Sequence, residues 1–278
     1  MNARPIFLAT ALLLGAGQAL LAQGTPPDTT RLQEIRLSGG SVVYGRIVEQ
    51  GDTIRLLLAS GDVLSVPRAR VLSSKPARGR IMKGEFWRDD PNRTRLFFGP
   101  TARGIRKGEG YFAAYELIMP FLGIAVTDDL VLAGGTPLFG GMDERPYWLA
   151  PKLRIASSGK TDVAVGALVF AVEDESAGVL YGVATHGSAD ASVSLGIGYG
   201  FADGELADHP ALMGGFDVRM SKGTKLISEN YLFPGGTGLV SFGPRFFGEK
   251  LSADLGIGIA FANGESASFP IVNFVWAW

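Results

Sequence analysis

Ala191-Ser-Val-Ser-Leu-Gly-Ile-Gly-Tyr-Gly-Phe-Ala202 alternates bulky and small residues without a break. Side chains of a strand point to opposite faces in turn. Val193, Leu195, Ile197, Tyr199 and Phe201 therefore share one face, and Ser192, Ser194, Gly196, Gly198, Gly200 and Ala202 the other. A soluble barrel puts its bulky face inward and a polar face outward. Here the opposing face is glycine and serine, so the bulky face is expected to meet lipid and the small face to line a lumen. Gly196-x-Gly198-x-Gly200 is not a nucleotide loop, because that fingerprint needs GxGxxG opening a helix.

The same phrase returns 60 residues later: Ser192 to Glu205 aligns with Ser252-Ala-Asp-Leu-Gly-Ile-Gly-Ile-Ala-Phe-Ala-Asn-Gly-Glu265. That offset fits about four strands with their turns, so both copies should run in the same direction. Working outward, strands are predicted at 95–101, 111–126, 130–140, 147–157, 161–172, 177–186, 191–202, 210–221, 224–233, 238–247, 250–262 and 268–278. The expected fold is all-β: an antiparallel transmembrane barrel of about 12 strands over 95–278, an even number as bacterial barrels require. Tight turns at 127–129, 158–160, 187–190, 222–223 and 248–249 alternate with loops at 103–109, 141–146, 173–177, 203–209, 234–237 and 263–267. Such barrels carry short turns on the periplasmic rim and longer loops outside.

The N-terminal third reads differently. Residues 1–22 have the form of a signal peptide, with Arg4, an apolar core from Ile6 to Leu14 and small residues to Ala22, so the mature chain is expected to begin near Gln23. Residues 32–73 hold short β-rich runs separated by Gly/Asp turns and predict a small meander of about five strands. Residues 74–94 read as a basic linker, whose Phe86-Trp87 pair fits either the membrane interface or packing on the small domain. Residues 24–110 carry 16 Lys/Arg against 9 Asp/Glu, whereas 111–278 carry 9 against 18. The two regions are built for different surroundings.

Composition excludes much chemistry. The 278 residues contain no cysteine and only His186 and His209, which leaves neither thiolate chemistry nor the usual zinc set. No GxSxG-type nucleophile is present, and no enzyme activity or cofactor is expected. Glu173-Asp174-Glu175 and Asp203, Glu205 and Asp208 lack the spacing of a calcium loop. The predicted lumen carries Lys152, Arg154, Asp217, Arg219, Arg245 and Asp254, with Arg95, Lys225 and Glu229 less securely phased. These charges suit mutual salt bridging that fills the interior, a narrow pore for ions or small solutes, or a site with chemistry.

Two resemblances add to this. Leu37-Ser-Gly-Gly-Ser-Val-Val-Tyr-Gly-Arg-Ile47 with Ser60-Gly-Asp-Val-Leu-Ser-Val-Pro67 resembles Sm-like and SH3-like small barrels. Nucleic acid is not implied, since the domain shows only Tyr44 for stacking. Asp90 to Ala102, Lys107 to Tyr111, Gly123 to Asp129, Gly182 to Thr185 and Gly248 to Leu251 resemble a family of uncharacterised bacterial outer-membrane β-barrel proteins, which implies fold and location and no activity. The final Phe274, Trp276 and Trp278 resemble the terminal β-signal read by the outer-membrane assembly machinery. The expectation is an outer-membrane protein with its N-terminal domain in the periplasm, facing lipid, the assembly machinery and a periplasmic protein or peptidoglycan. It is either a narrow pore or a non-conducting protein that links the membrane to that partner.

Overall fold

The computed structural model describes residues 32–137 and 145–278. The signal peptide expected at 1–22, and the expected start near Gln23, lie outside the described residues. The chain forms two compact units that meet in sequence between Pro76 and Ala77.

The smaller unit is a five-stranded antiparallel sheet: β1 (Gln33–Leu37), β2 (Val42–Glu49), β3 (Thr53–Leu58), β4 (Val63–Pro67) and β5 (Val71–Pro76). β1 to β4 follow one another as a meander. A 3-10 turn at Arg68–Arg70 then carries β5 back to pair with β1. The period-2 pattern does its expected work: Ile54 and Leu56 are buried between exposed Thr53, Arg55 and Leu57, and join Ile35, Ile47 and Val66 in the core. Gly40 and Gly61 turn the chain at φ 80° and 93°, a region that favours glycine.

The larger unit opens with a hairpin, β6 (Gly79–Met82) and β7 (Glu85–Arg88). The barrel follows as β8 (Gly110–Tyr115), β9 (Met119–Ala125), β10 (Leu130–Gly135), β11 (Tyr147–Leu149), β12 (Lys152–Ser158), β13 (Thr161–Val172), β14 (Glu175–Gly187), β15 (Ala191–Ala202), β16 (Glu205–Leu206), β17 (Ala211–Ser221), β18 (Thr224–Leu232), β19 (Gly238–Phe247), β20 (Leu251–Ala262) and β21 (Glu265–Ala277). β11 and β12 both pair with β10 and β13, so they are one strand broken at Ala150-Pro151. β16 only extends the hairpin that follows β15. Counted so, the sheet is a closed antiparallel barrel of twelve strands. β15 and β20, the two copies of the repeat, are four strands apart along the sheet and run the same way. Val193, Leu195, Ile197 and Tyr199 are exposed on the outside, while Ser192 and Ser194 are buried within.

The strand count agrees with the sequence reading, but two errors in that reading cancel. Residues 95–101 do not form the first barrel strand; they turn inside the barrel. Residues 111–126 are not one strand but two, β8 and β9, joined through Glu116 and Leu117 at φ 49° and 63°. The last strand therefore closes on β8, pairing Ala277 with Tyr111 and Asn273 with Tyr115, and not on a strand near Leu96. Residues 103–109 are likewise not an outer loop. They belong to the inner segment and reach β8 at the rim that holds Trp278, the terminal rim. The loop opposite is the short turn after Tyr115. The stretch 74–94 contains the end of β5 and the whole β6–β7 hairpin.

The closing seam depends on small residues. Trp278 donates its backbone N–H to the Gly110 carbonyl at 3.1 Å, and its ring covers Gly110. A side chain at Gly110 would meet that ring and would lie 2.6 Å from the Gly123 carbonyl oxygen. Gly110→Val is expected to cost about 1–3 kcal/mol by overpacking, and deletion of Trp278 to lower the yield of folded barrel. The heat-modifiable gel shift of membrane fractions measures both. Parent-level yield for the Trp278 deletion would remove the seam, and the terminal signal, from the account.

Candidate functional site: a segment held in the lumen

Residues 89–109 run into the barrel from the terminal rim, turn, and return to the same rim. At the tip the chain makes a tight hairpin. Leu96 N–H donates to the Gly99 carbonyl, Thr101 N–H to the Thr94 carbonyl, and Arg95 bridges Pro100. Leu96 and Phe97 are fully buried. The wall gives way to them through glycine: a Cβ on Gly215 would strike Leu96, and one on Gly256 would come within 3.1 Å of the Phe97 ring. The small-residue inner face is thus the space in which this segment packs.

Backbone groups inside a barrel need partners as much as those in its wall. Three charged wall residues supply them. Glu229 on β18 is fully buried, and its Oε2 accepts N–H bonds from Phe97 (2.7 Å), Phe98 (3.0 Å) and Gly99 (2.9 Å); Oε1 accepts from the Tyr231 hydroxyl at 2.8 Å. Arg245 on β19 works on the carbonyl side. Its guanidinium donates to Asn92 O (2.8 Å), Arg95 O (3.1 Å) and Leu96 O (2.5 Å). It also holds the Asp254 carboxylate in a fork at 2.6 and 2.9 Å and Asp90 at 3.2 Å. Lys152 on β12 donates to the carbonyls of Thr94 (3.2 Å), Thr101 (2.8 Å) and Arg103 (2.9 Å). Neutral groups complete the grip: Asn273 donates to Phe97 O, and Thr185 accepts from the Ala102 N–H.

A second cluster ties the entering arm to the wall. Lys225 pairs with Asp217 at 2.5 Å and with Asp90 at 3.3 Å, and Ser192 donates to Asp217. The structure thus gathers Lys152 and Arg245 directly, Asp217 through Lys225 and Asp254 through Arg245, on one inserted segment. Arg154 and Arg219 lie elsewhere. Arg154 pairs with Asp129 at 2.7 Å at the terminal rim, and Arg219 pairs with Asp190 at 2.5 Å. The Arg219 guanidinium also lies over the rings of Phe247 (5.0 Å) and Trp87 (5.9 Å), so it joins the β6–β7 hairpin to the rim. Arg80 reaches Asp190 from that hairpin, and Lys222 pairs with Glu85 at 2.7 Å. Trp87 therefore packs on the barrel rim. Of the aromatic C-terminal residues, Phe274 and Trp276 are exposed on the outer wall, and the Trp278 ring lies tilted against that of Trp276 with centroids 5.4 Å apart.

Asp90, Asn273 and Thr185 were not among the residues singled out in the sequence. Asn273 and Thr185 do occupy inward positions of their strands, a signal that the alternation carries. Asp90 carries no such signal, since it precedes the barrel. No group of three or more metal-ligating side chains converges among the described residues.

On the far side of the tip lies an apolar cavity of about 220 Å³, lined by Phe98, Leu168, Tyr181, Val183, Met213 and Tyr231 among others, with Arg95 at its edge.

No family model and no curated protein matches this sequence. Among solved structures, the chain is similar to the KdgM porin at 10% identity, over 61% of this chain and 98% of that one, with a TM-score of 0.46. It is similar to the NanC porin at 7% identity, over 61% and 97%, with a TM-score of 0.41. It is also similar to OmpT, an outer membrane protein of Vibrio cholerae, at 11% identity, over 89% and 94%, with a TM-score of 0.36. These are distant likenesses of form, and they carry nothing about solute or partner.

Proposed function

We propose that this protein is a non-conducting outer-membrane barrel that presents its N-terminal domain to a periplasmic partner. The observation that carries the reading is the inserted segment: Glu229, Arg245 and Lys152 spend their hydrogen-bonding capacity on its backbone, where pore charges would face water. Membrane insertion is supported by the apolar outer wall and by a sheet without edges, the form a β-structure needs in lipid. Its orientation is supported by the connections. Those that follow β10, β15 and β18 are the long ones, and each leaves from a strand end opposite the terminal rim. The chain leaves the barrel on the short-turn rim, which supports a periplasmic N-terminal domain.

The return of β5 to β1 after a 3-10 turn supports the SH3-like reading of that domain. Exposed Arg36, Arg46, Arg55, Arg68 and Arg70 give it a basic surface, suited to an acidic protein or to peptidoglycan. The narrow-pore reading is weaker because the segment stands where solute would pass.

Planar-bilayer recording separates the two. The parent protein is expected to be silent, and deletion of residues 91–102 is expected to open steady conductance. A parent barrel that conducts steadily would make the pore reading the better one.

A further inference from the structure

Arg95 sits on the tip of the luminal hairpin and faces the 220 Å³ cavity. One guanidinium nitrogen donates to the Phe98 carbonyl at 2.8 Å, the Tyr111 hydroxyl is a second hydrogen-bond partner, and the group lies 5.7 Å from the Tyr115 ring centre and 5.5 Å from that of Phe121. Among the described residues no carboxylate lies within ion-pair distance of it, in contrast to Arg245 and Lys225 on the other side of the tip. A guanidinium has five N–H donors in a planar fork that matches a carboxylate. Holding such a charge beside an apolar wall is costly without an anion. The remaining lining adds only the hydroxyls of Tyr181 and Tyr231, and the Tyr231 hydroxyl is already given to Glu229. The cavity is therefore an apolar chamber with one cationic wall.

We infer that this cavity is a binding site for a medium-chain monocarboxylate, with the carboxylate on the Arg95 guanidinium and the alkyl chain along Phe98, Leu168, Val183 and Met213. The volume suits this class. An apolar cavity of about 150 Å³ holds benzene, and at about 30 Å³ per water-sized group this one holds roughly seven, the body of a six- to eight-carbon acid. A sugar acid is a poor match, because its hydroxyls would find almost no partners on these walls. The site goes beyond the anchoring role and does not depend on it. A barrel with a different periplasmic partner, or with some conductance, would bind the acid equally.

The test is equilibrium dialysis of radiolabelled octanoate, and separately of octan-1-ol, against the full chain in lipid nanodiscs, with empty nanodiscs as the blank. Saturable one-to-one binding of octanoate above the blank is expected, with octan-1-ol bound more weakly. Arg95→Gln should weaken octanoate by about tenfold or more while leaving octan-1-ol unchanged, since hydrogen bonds to charged groups are the stronger kind. Arg95→Lys should keep part of the preference. Ala211→Phe, which fills the chamber from β17, should abolish both. The gel shift verifies folding of each variant. No excess over empty nanodiscs overturns the proposal. So does octanoate binding that survives Arg95→Gln in a folded barrel, which would mark a cavity filled by any acyl chain without use of the cation.

Discussion

Arg245→Ala is expected to lower the stability of the barrel by about 3–5 kcal/mol, the scale for removing one partner from a buried ion pair. The reason lies in what is left behind. Asp254 and Asp90 are both nearly inaccessible, and Asp254 would lose both of its charged contacts at once. The carbonyls of Asn92, Arg95 and Leu96 would lose their donor in the same step. Arg245→Lys should rescue little, since a single ammonium cannot span a forked carboxylate and three carbonyls. Arg245→Met combined with Asp254→Leu should recover part of the loss, because the buried charge leaves with its partner. The exposed pair between Lys222 and Glu85 provides the contrast, and Lys222→Ala should cost under about 1 kcal/mol. The midpoint of the heat-modifiable gel shift, or guanidinium unfolding in detergent, measures all four. Equal midpoints for Arg245→Ala and Lys222→Ala would mean that the segment is not held as described.

The second large effect is expected at Glu229. Its carboxylate collects three successive N–H groups of the hairpin tip, an arrangement that stabilises an anion as a backbone nest does. Glu229→Ala leaves those donors and the Tyr231 hydroxyl without their acceptor. Each buried orphan costs about 1–3 kcal/mol, although some can relax toward one another. A loss of about 2–4 kcal/mol follows, with the damage concentrated at the tip. Glu229→Gln should be milder, because the amide oxygen can still take the N–H groups while its nitrogen donates to Tyr231. Hydrogen exchange at Phe97, Phe98 and Gly99 tests this locally. Fast exchange in Glu229→Ala and slow exchange in Glu229→Gln is the expected pattern. Unchanged protection in both would sink the assignment.

Much of the barrel was legible because its signal is local. The alternation from Val193 to Phe201 needs only the strand period, and the inward phase of Lys152, Asp217, Arg245 and Asp254 follows from the same count. What those charges bind was not legible. Their targets are mostly backbone carbonyls of a segment far away in sequence; the contact between Gly99 and Glu229 spans 130 residues. Arg95-Leu-Phe-Phe-Gly99 reads as an edge of the barrel because a buried hairpin and a membrane strand use the same residue types. The split of 111–126 was hidden for a different reason. Glu116 and Leu117 turn the chain with positive φ and without Gly, Asn or Pro, the residues by which a turn announces itself. The first failure is of tertiary origin, since partners distant in sequence decide where the segment lies; the second is local, a turn made by residue types that do not mark one.

Because the luminal segment enters and leaves by the same rim, it is a doubled strand and not a threaded one. No free end has to pass through the barrel, which keeps the topology unknotted and leaves withdrawal mechanically possible. Tension applied to the chain at Ala77 runs through the β6–β7 hairpin to Asp90 and Asn92, so the hairpin's ties to the rim, Arg80 to Asp190 and Glu85 to Lys222, and then Arg245 carry the load before Glu229 does. The bonds are thus loaded from the rim toward the tip, and a pull from the terminal rim would draw the bolt without opening the seam between β21 and β8.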